Sequence, residues 1–254
     1  MGPTSLAWWL SAGAFPLFAI WAMTSGTSVP TLSYWPLGAL AVACNLAATL
    51  LMLRALATTD LAVAIPMLAL TPVFSSVLAW VTLGQALAGA AWFGVALVVA
   101  GALILQLRGL EWRISQGAMM MVVVAFLWSL SAVIDKLCLA HASIPSHAAI
   151  QVGVSALAMG GWLVTRGEAR RLLPPRGHRS AAVGAVFAFS GALGCQLVAL
   201  TLTSIGLIET TKRAIGLTSA VVIGRWLFDE QITIQRIVGV VLMGLGATLV
   251  IGWT

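Results

Sequence analysis

Nine apolar stretches, each about as long as a membrane-spanning helix, constrain this sequence more than any other feature. Proline, glycine or charged residues bound each stretch, and about 20 residues suffice to cross a hydrocarbon core of roughly 30 Å. Hydrophobic residues make up 61% of the 254 residues and charged residues only 8%, which is too few charges to cover a water-soluble globule. We therefore predict an all-α polytopic membrane protein with one domain over residues 1–254. The stretches are 6–24, 36–54, 61–83, 88–107, 115–138, 147–165, 181–202, 205–228 and 234–252.

The few charged residues cluster in one loop. Residues 166–179 contain five arginines against one glutamate, a net charge of +4 out of +6 for the whole chain. Because cytoplasmic loops of membrane proteins are enriched in Lys and Arg, we expect this loop in the cytoplasm. With nine helices, that choice places the N-terminus inside and the C-terminus outside. The other basic residues form no patch, so no nucleic-acid partner is predicted.

A shift of 145 residues aligns the chain with itself and predicts an internal repeat. The shift places Gly94 on Gly239 and Gly101 on Gly246, and it pairs four stretches of the first half with four of the second. Paired stretches are five helices apart, an odd number, so they cross the membrane in opposite directions, which defines an inverted repeat. The pairs are 36–54 with 181–199, 61–83 with 206–228, 88–107 with 233–252 and, less closely, 6–24 with 147–165.

The two predicted repeats are unequal in length. The first covers 6–107 and the second covers 115–252, and the stretch 115–138 has no partner in the first repeat. The first repeat therefore lacks its opening helix. We expect either an inverted-repeat helical bundle of about nine transmembrane helices, four plus five, or an opening helix encoded upstream of Met1.

Residues in both halves carry a family resemblance. In the first half they are Ala55–Gln85 and Trp92–Gly94, and in the second half Trp128–Lys136 and the pair Lys212 and Arg213. Together they resemble the EamA branch of the drug/metabolite transporter (DMT) superfamily. The resemblance implies ten helices in two inverted five-helix repeats around a central cavity, and transport of small metabolites such as amino acids, nucleotide-sugars or drugs. It also implies that the arginine-rich loop faces outside, opposite to the charge rule, and we follow the charge rule.

Three charged residues lie deep in one apolar stretch, 205–228. Glu209, Lys212 and Arg213 are spaced i, i+3 and i+4, so they share one helix face. A charge at the centre of a span costs about 2.5–3.5 kcal/mol, which makes such residues candidates for function. We predict substrate binding, in which Glu209 orients or neutralises one cation while the other binds an anionic substrate group. The alternative is a structural ion pair whose long side chains reach back to water.

Two prolines interrupt the stretch that the repeat pairs with this charged helix. Pro66 and Pro72 each remove a backbone N–H, which frees the carbonyl groups of Ala62 and Leu68. The repeat places Pro66 on Thr211, next to the charged cluster. The proline of the first half and the charged cluster of the second half are therefore expected at the same depth in the membrane. We predict helix hinges at both prolines and a shared cavity between the two helices. The alternative is an ordinary kink packed against neighbouring helices.

Polar and aromatic residues in other stretches are further candidates. Asn45 and Gln196 either line the same cavity or form hydrogen bonds between helices. Trp128, near the middle of its stretch, either stacks on a substrate ring or packs against its neighbours. Asp135, which with Lys136 resembles a recurring pair of the family, is the candidate for coupling to an ion such as a proton.

The spacing of cysteine and histidine residues points to no metal site and no cofactor. Cys44, Cys138 and Cys195 lie singly in apolar stretches, without CxxC or Cys/His spacing. His141 and His147 fall in a loop and at a helix start, with no acidic partner in the sequence pattern. We therefore predict neither a bound metal nor a cofactor.

The sequence as a whole favours a secondary transporter. We predict a permease that moves a small polar metabolite with an anionic group by alternating access. Because no ATP-binding motif is present, the energy would come from a coupling proton or an exchanged solute. The expected partners are this small molecule, the lipid bilayer and, as an option, a second copy in a homodimer. The expected location is the plasma membrane, which in a bacterium is the inner membrane.

Two other classes of function stay open. Gly153-Val-Ser155-Ala resembles the nucleophile motif of rhomboid-type serine hydrolases, which predicts an intramembrane enzyme. That chemistry needs a histidine on a neighbouring span, and the histidines of this chain lie outside the spans or at their ends. The other class is a non-transporting membrane scaffold, which the inverted repeat and the buried charges disfavour.

Overall fold

The structure of the protein is a computed structural model, and it describes residues 3–26, 29–58, 65–106, 116–172, 179–228 and 233–252. Within these residues the chain forms nine α-helices and two short 3-10 helices and contains no strand, which confirms the prediction of an all-α protein. The α-helices are α1 Pro3–Thr24, α2 Tyr34–Thr58, α3 Thr71–Leu83, α4 Gly89–Gln106, α5 Gln116–Cys138, α6 Ile144–Thr165, α7 Arg179–Leu202, α8 Ile205–Phe228 and α9 Ile234–Gly252. The 3-10 helices are Ile65–Leu70 and Ala169–Leu172.

Among the described residues, five helices are long and apolar enough to cross a membrane. By length and composition they are Thr4–Thr24, Tyr34–Thr58, Gln116–Cys138, Ile144–Thr165 and Ser180–Leu202. Three shorter apolar helices accompany them, Met67–Leu83, Gly89–Ile104 and Ile237–Ile251. The helix α8 differs from both sets because it contains the cluster of Glu209, Lys212 and Arg213.

The predicted stretch 61–83 is divided into two kinds of helix. In the part that the structure describes, the 3-10 helix Ile65–Leu70 is followed directly by α3, which begins at Thr71. Pro72 is the second residue of α3, and its nitrogen carries no hydrogen for the carbonyl of Leu68, four residues earlier. Proline is favoured in the first turn of a helix, where an N–H has no partner within the helix. The change of helix type therefore follows from Pro72.

The helices form two compact units. Unit 1 contains Met1–Leu46 and Ile134–Leu202, and unit 2 contains Ala47–Val133 and Thr203–Thr254. Unit 1 thus holds α1, α6 and α7, with the beginning of α2 and the end of α5. Unit 2 holds α3, α4, α8 and α9, with the remainder of α2 and α5.

In unit 1, glycines allow α1 to pack closely against α6. A Cβ placed on Gly153 would lie 2.8 Å from the ring of Phe15, and one placed on Gly160 would lie 2.8 Å from Nε1 of Trp8. Residue numbers rise along α1 as they fall along α6, so these two helices are antiparallel. Large aromatic side chains of α1 therefore occupy the space that the glycines of α6 leave open.

In unit 2, α4 and α9 cross at glycines on both sides. A Cβ placed on Gly94 would lie 2.6 Å from the carbonyl oxygen of Gly246, and one placed on Gly246 would lie 2.5 Å from that of Gly94. About two helical turns further along α4, a Cβ placed on Gly101 would lie 2.6 Å from the carbonyl oxygen of Gly239. These helices are antiparallel and their backbones touch. The seven-residue spacing of these glycines keeps them on one face of each helix, which permits the close approach.

The helix α8 packs antiparallel against α3 in the same unit. Its first residue, Ile205, donates its backbone N–H to Oε1 of Gln85, at 3.2 Å, which satisfies one of the free donors of the helix start. The next residue, Gly206, lies so close to α3 that an added Cβ would lie 2.6 Å from Oγ of Ser76. This contact and the side-chain anchor set the depth at which the charged cluster of α8 lies beside the 3-10 helix.

Candidate functional site

The charged cluster of α8 contains an ion pair between a buried carboxylate and a half-exposed lysine. Nζ of Lys212 lies 2.5 Å from Oε1 of Glu209, the i, i+3 pair that the sequence predicts. The Glu209 side chain is 5% exposed, whereas that of Lys212 is 50% exposed. A carboxylate as buried as this one is costly without a partner, and Lys212 supplies that partner inside unit 2.

Arg213, the second cation of the cluster, binds a backbone carbonyl across the helix interface. Its Nη2 donates to the carbonyl oxygen of Leu68 at 2.6 Å and lies 3.3 Å from Oγ1 of Thr71. The Thr71 hydroxyl also donates to the carbonyl of Leu68, at 2.7 Å. This is the carbonyl that lacks its i+4 backbone donor because of Pro72, so the guanidinium supplies a charged hydrogen bond in place of that N–H.

A serine of α5 holds the same segment from a third helix. Oγ of Ser129 lies 3.1 Å from the carbonyl oxygen of Thr71 and 2.8 Å from that of Ala125. The junction between the 3-10 helix and α3 is therefore bound from α5 and from α8. Such cross-helix bonds stabilise a polar junction in an apolar interior.

Two buried hydroxyls of unit 2 have no hydrogen-bond partner within the described part of the chain. They are Oγ1 of Thr211, which precedes Lys212, and Oγ of Ser76 on α3, which lies against Gly206 near the start of α8. Buried polar atoms are nearly always hydrogen-bonded, so these two are exceptions in the interior of unit 2.

A second polar network lies in unit 1 and is centred on Asp135, in the last turn of α5. Nε2 of His147 lies 3.2 Å from Oδ1 of Asp135, and Nε2 of Gln151 donates to the same oxygen at 3.1 Å. The hydroxyl of Tyr34, the first residue of α2, lies 2.9 Å from Nδ1 of His147. Tyr34 and His147 are each 1% exposed and Asp135 is 3% exposed, so the network is shielded from solvent.

The start of α6 positions the histidine of this network. Ser143 caps the helix, because its side chain accepts the backbone N–H of Ser146 at 3.3 Å. Four residues separate His147 from Gln151, so both project from one face of α6 toward α5. The helix start therefore delivers two polar side chains to a single carboxylate.

Sequence reasoning missed His147, Gln151 and Tyr34. A usable signal existed, because Asp135 lies three residues before the end of α5 and His147 lies three residues after the start of α6. Residues at equal distances from the turn of an antiparallel helical hairpin lie at about the same depth, which makes them candidates for a contact. The missing acidic partner of His147 was therefore present, on the preceding helix.

The remaining predicted site residues are distributed over both units. Asn45 on α2 and Gln196 on α7 lie in unit 1, and each is half-buried and has an interaction partner. Trp128 lies in unit 2, packed against Ala48, Ala55, Met121 and Val124 of α2 and α5, which is the packing alternative. Pro66 lies in the 3-10 helix, and the carbonyl of Ala62 falls outside the described residues. One cavity shared by all these residues stays a prediction.

The serine of the hydrolase-like motif has no dyad with the histidine of its own helix. Both ring nitrogens of His147 are engaged, by Tyr34 and by Asp135. Ser155 lies eight residues further along α6, about 12 Å away at 1.5 Å per residue. His147 therefore belongs to the carboxylate network.

An apolar groove of about 520 Å³ runs between α1 and α7 in unit 1. Leu17, Phe18 and Trp21 line one side, and Gly191 and Gly194 line the other. None of the predicted site residues lines it. Its lining suits hydrocarbon and offers no charged group to an anionic solute.

Comparisons with known proteins agree with this architecture. A family model described as the EamA-like transporter family matches residues 1–107 and 115–252. Among solved structures, 25 chains match. One of them, titled "Crystal structure of protein", is 17% identical and has a TM-score of 0.79, covering 98% of this chain and 88% of that chain. At this identity the likeness shows the fold alone. No curated protein matches the chain.

Proposed function

Because the chain belongs to the EamA-like transporter family, we propose that it moves a small polar metabolite with an anionic group across the membrane by alternating access. Family membership makes it a multi-pass membrane transporter of the drug/metabolite type, with a small-molecule substrate and a lipid environment. The anionic group, the alternating access, the plasma-membrane location and an N-terminus on the inside are our proposal.

The charge balance of the α8 cluster carries the proposal. Glu209 neutralises one cation, Lys212, while the hydrogen bonds of Arg213 within the described residues go to the neutral oxygens of Leu68 and Thr71. The cluster therefore holds a net charge of +1 in an apolar unit. A carboxylate or phosphate would neutralise this charge, and Arg213 offers the forked donors that bind such groups.

The half-exposed Lys212 gives the cluster a side that a solute can reach. Its ammonium group contacts Glu209 with part of its surface, and half of the side chain remains accessible. A polar metabolite would therefore find a charged group and an opening at one level of α8.

Antiparallel packing of predicted repeat partners supports alternating access. The helices α4 and α9 are partners under the 145-residue shift, as are α3 and α8, and both pairs run in opposite directions. Inverted repeats are the usual basis for transporters that open alternately to the two sides of a membrane. One of these pairs carries the charged cluster on α8, and its carbonyl acceptor, Leu68, lies in the 3-10 helix directly before α3.

A flux experiment with matched charge removals tests this function. Metabolite profiles of cells with and without the gene would identify the transported compound. Saturable exchange of that compound is then measured in proteoliposomes. We expect Lys212→Gln and Arg213→Gln each to reduce exchange at least tenfold, because each removes a cation from the cluster. The control is Arg166→Gln, which removes a cation that stacks on Trp162, 4.7 Å from its ring centre.

Two results would contradict the proposal. Exchange that is as fast in both cluster variants as in Arg166→Gln would remove the cluster from the substrate site. A transported compound that carries only positive charge would exclude the anionic substrate class. Each variant is compared at equal amounts of monodisperse protein, so that loss of folding is counted separately.

A further inference from the structure

We propose that Tyr34, His147 and Asp135 form a proton-binding relay that couples proton movement to transport. The inference rests on the proposed transport function and adds the coupling ion and its site. The observation that carries it is a continuous line of hydrogen bonds through three buried side chains from three helices, α2, α6 and α5. Among side chains, histidine is the one whose ordinary titration falls nearest to physiological pH.

The network holds one negative charge when it is unprotonated. In that state the Nε2–H of His147 donates to Oδ1 of Asp135, and Nδ1 of His147 accepts the hydroxyl hydrogen of Tyr34. Asp135 is ionised and the imidazole is neutral. A buried charge without a counter-charge is unfavourable, so this state favours uptake of a proton.

Proton uptake neutralises the network while keeping both histidine bonds. A hydronium ion gives a proton to the oxygen of Tyr34 and leaves a water molecule, while the original hydroxyl hydrogen of Tyr34 passes to Nδ1 and makes His147 an imidazolium. Its two N–H groups then donate to Asp135 and to the oxygen of Tyr34, which keeps the incoming hydrogen as its hydroxyl hydrogen. The net charge changes from −1 to 0, and the ion pair is already in hydrogen-bonding geometry.

The amide of Gln151 shows that acceptors outnumber donors in this network. Its Nε2 donates to Asp135, while its Oε1 is buried and has no hydrogen-bond partner among the residues that the structure describes. A buried acceptor that lacks a donor is costly. A site with a surplus of acceptors suits the uptake of a further hydrogen.

The other ionisable groups around the relay are few. Cys44 of α2 and Cys138 of α5 lie within electrostatic range of Asp135. Lys136 follows Asp135 but projects about 100° further around α5. The helix α1, which packs against α6, contains no charged or histidine residue in its sequence. The only histidine that touches Asp135 among the described residues is His147.

The relay lies at helix ends, close to one face of the membrane. Tyr34 begins α2, while Asp135 and His147 flank the short turn between α5 and α6. The two connecting segments meet there, because the backbone N–H of Thr31 donates to the carbonyl of His141 at 3.2 Å. With the proposed N-terminus inside, this face is the outer one, so the proton would enter from outside.

The first test needs no substrate, because the proton itself is the probe. Protein labelled with ¹⁵N-histidine is titrated in detergent, and the signal of His147 is assigned by its loss in His147→Gln. We expect Asp135→Asn to lower the midpoint of His147 by at least one pH unit, a tenfold loss of proton affinity, because the negative partner is removed. The signal of His141, in the turn, is the internal control.

A more conservative variant allows the same measurement if Asp135→Asn does not fold. Tyr34→Phe keeps the ring and removes only the hydroxyl, which binds the imidazolium more strongly than it binds the neutral ring. We expect the His147 midpoint to fall here also, by about one pH unit. A midpoint unmoved in both Asp135→Asn and Tyr34→Phe would overturn the relay.

The second test separates coupling from transport itself. In proteoliposomes, exchange of the identified metabolite is compared with its accumulation under a pH gradient, with trapped pyranine reporting proton movement. We expect His147→Gln and Asp135→Asn to reduce gradient-driven accumulation at least tenfold more than exchange. Equal losses of both, or accumulation that ignores the gradient in the unaltered protein, would overturn the coupling. Absence of exchange in the unaltered protein would instead contradict the proposed transport function.

Discussion

Arg213 and Leu68, joined by a hydrogen bond of 2.6 Å, are separated by 145 residues, which is the spacing of the predicted repeat. Under that repeat each residue is the equivalent of the other. Two equivalent residues in contact must lie close to the axis that relates the repeats. The charged donor and the carbonyl freed by Pro72 would therefore occupy the pseudo-two-fold axis, where inverted-repeat transporters bind their substrates.

Exchanging the two basic residue types at adjacent positions should separate their roles. Arg213→Lys keeps the charge but removes the fork that reaches both Leu68 and Thr71, so we expect at least a tenfold loss of exchange. Lys212→Arg keeps a cation beside Glu209, so we expect a loss of less than threefold. Exchange in proteoliposomes measures both, and equal losses would contradict distinct roles for the two cations.

The crossing of α4 and α9 should be sensitive to a single methyl group. Gly94→Ala places a Cβ against the carbonyl oxygen of Gly246, and overpacking of this kind costs about 1–3 kcal/mol. We expect a clear fall in the melting temperature in detergent. Gly244→Ala is the matched control on α9, because nothing lies within 4 Å of its added Cβ. A control that melts as low as Gly94→Ala would refute the backbone contact.

The contact between α8 and α3 can be tested by rescue. We expect Gly206→Ala to lower the melting temperature, because its Cβ meets the hydroxyl of Ser76, and we expect Ser76→Ala to restore part of the loss. The coupling in a double-mutant cycle should be about 1 kcal/mol. Gly216→Ala, with open space around its added Cβ, is the control on the same helix. Purely additive effects would count against the contact.

The orientation is tested by labelling single cysteines in intact cells. The native cysteines are first replaced, because Cys195 is exposed. We expect Ser25→Cys, in the turn after α1, to react with an impermeant maleimide from outside. Ser180→Cys, beside the arginine-rich loop, should react only after permeabilisation, because positive loops stay inside. The reverse pattern would support the orientation that the family resemblance implies.

Local rules predicted the parts of the site that lie on one helix. The spacing of Glu209, Lys212 and Arg213 predicted that Glu209 pairs with one of the two cations, which is Lys212, and Pro72 predicted the free carbonyl of Leu68. Neither rule could identify Arg213 as the donor, because that contact depends on how deeply α8 sits beside α3. Its depth is set by Gly206 and by other contacts distant in the sequence.

The unit 1 network shows what sequence reasoning could have gained. The local sequence pattern indicates Asp135 but not its partner His147, because the two lie on different helices. Their equal distance from the helical turn places them at the same depth and is the signal that points to the pair. No sequence pattern predicts the contact with Tyr34, because Tyr34 lies 113 residues away from His147 and the two meet only through packing of their helices.

The crossing of α4 and α9 also bears on how such a chain could arise. Under the 145-residue shift, Gly94 corresponds to Gly239 and Gly246 corresponds to Gly101. The contact of Gly94 with Gly246 therefore corresponds to that of Gly239 with Gly101, and the repeat maps the interface onto itself. Two identical chains related by a two-fold axis make contacts of this kind. A half-length ancestor inserted in both orientations would already carry this interface complete. Fusing two such halves would create no new contact there, but would fix the ratio of the two orientations at one to one.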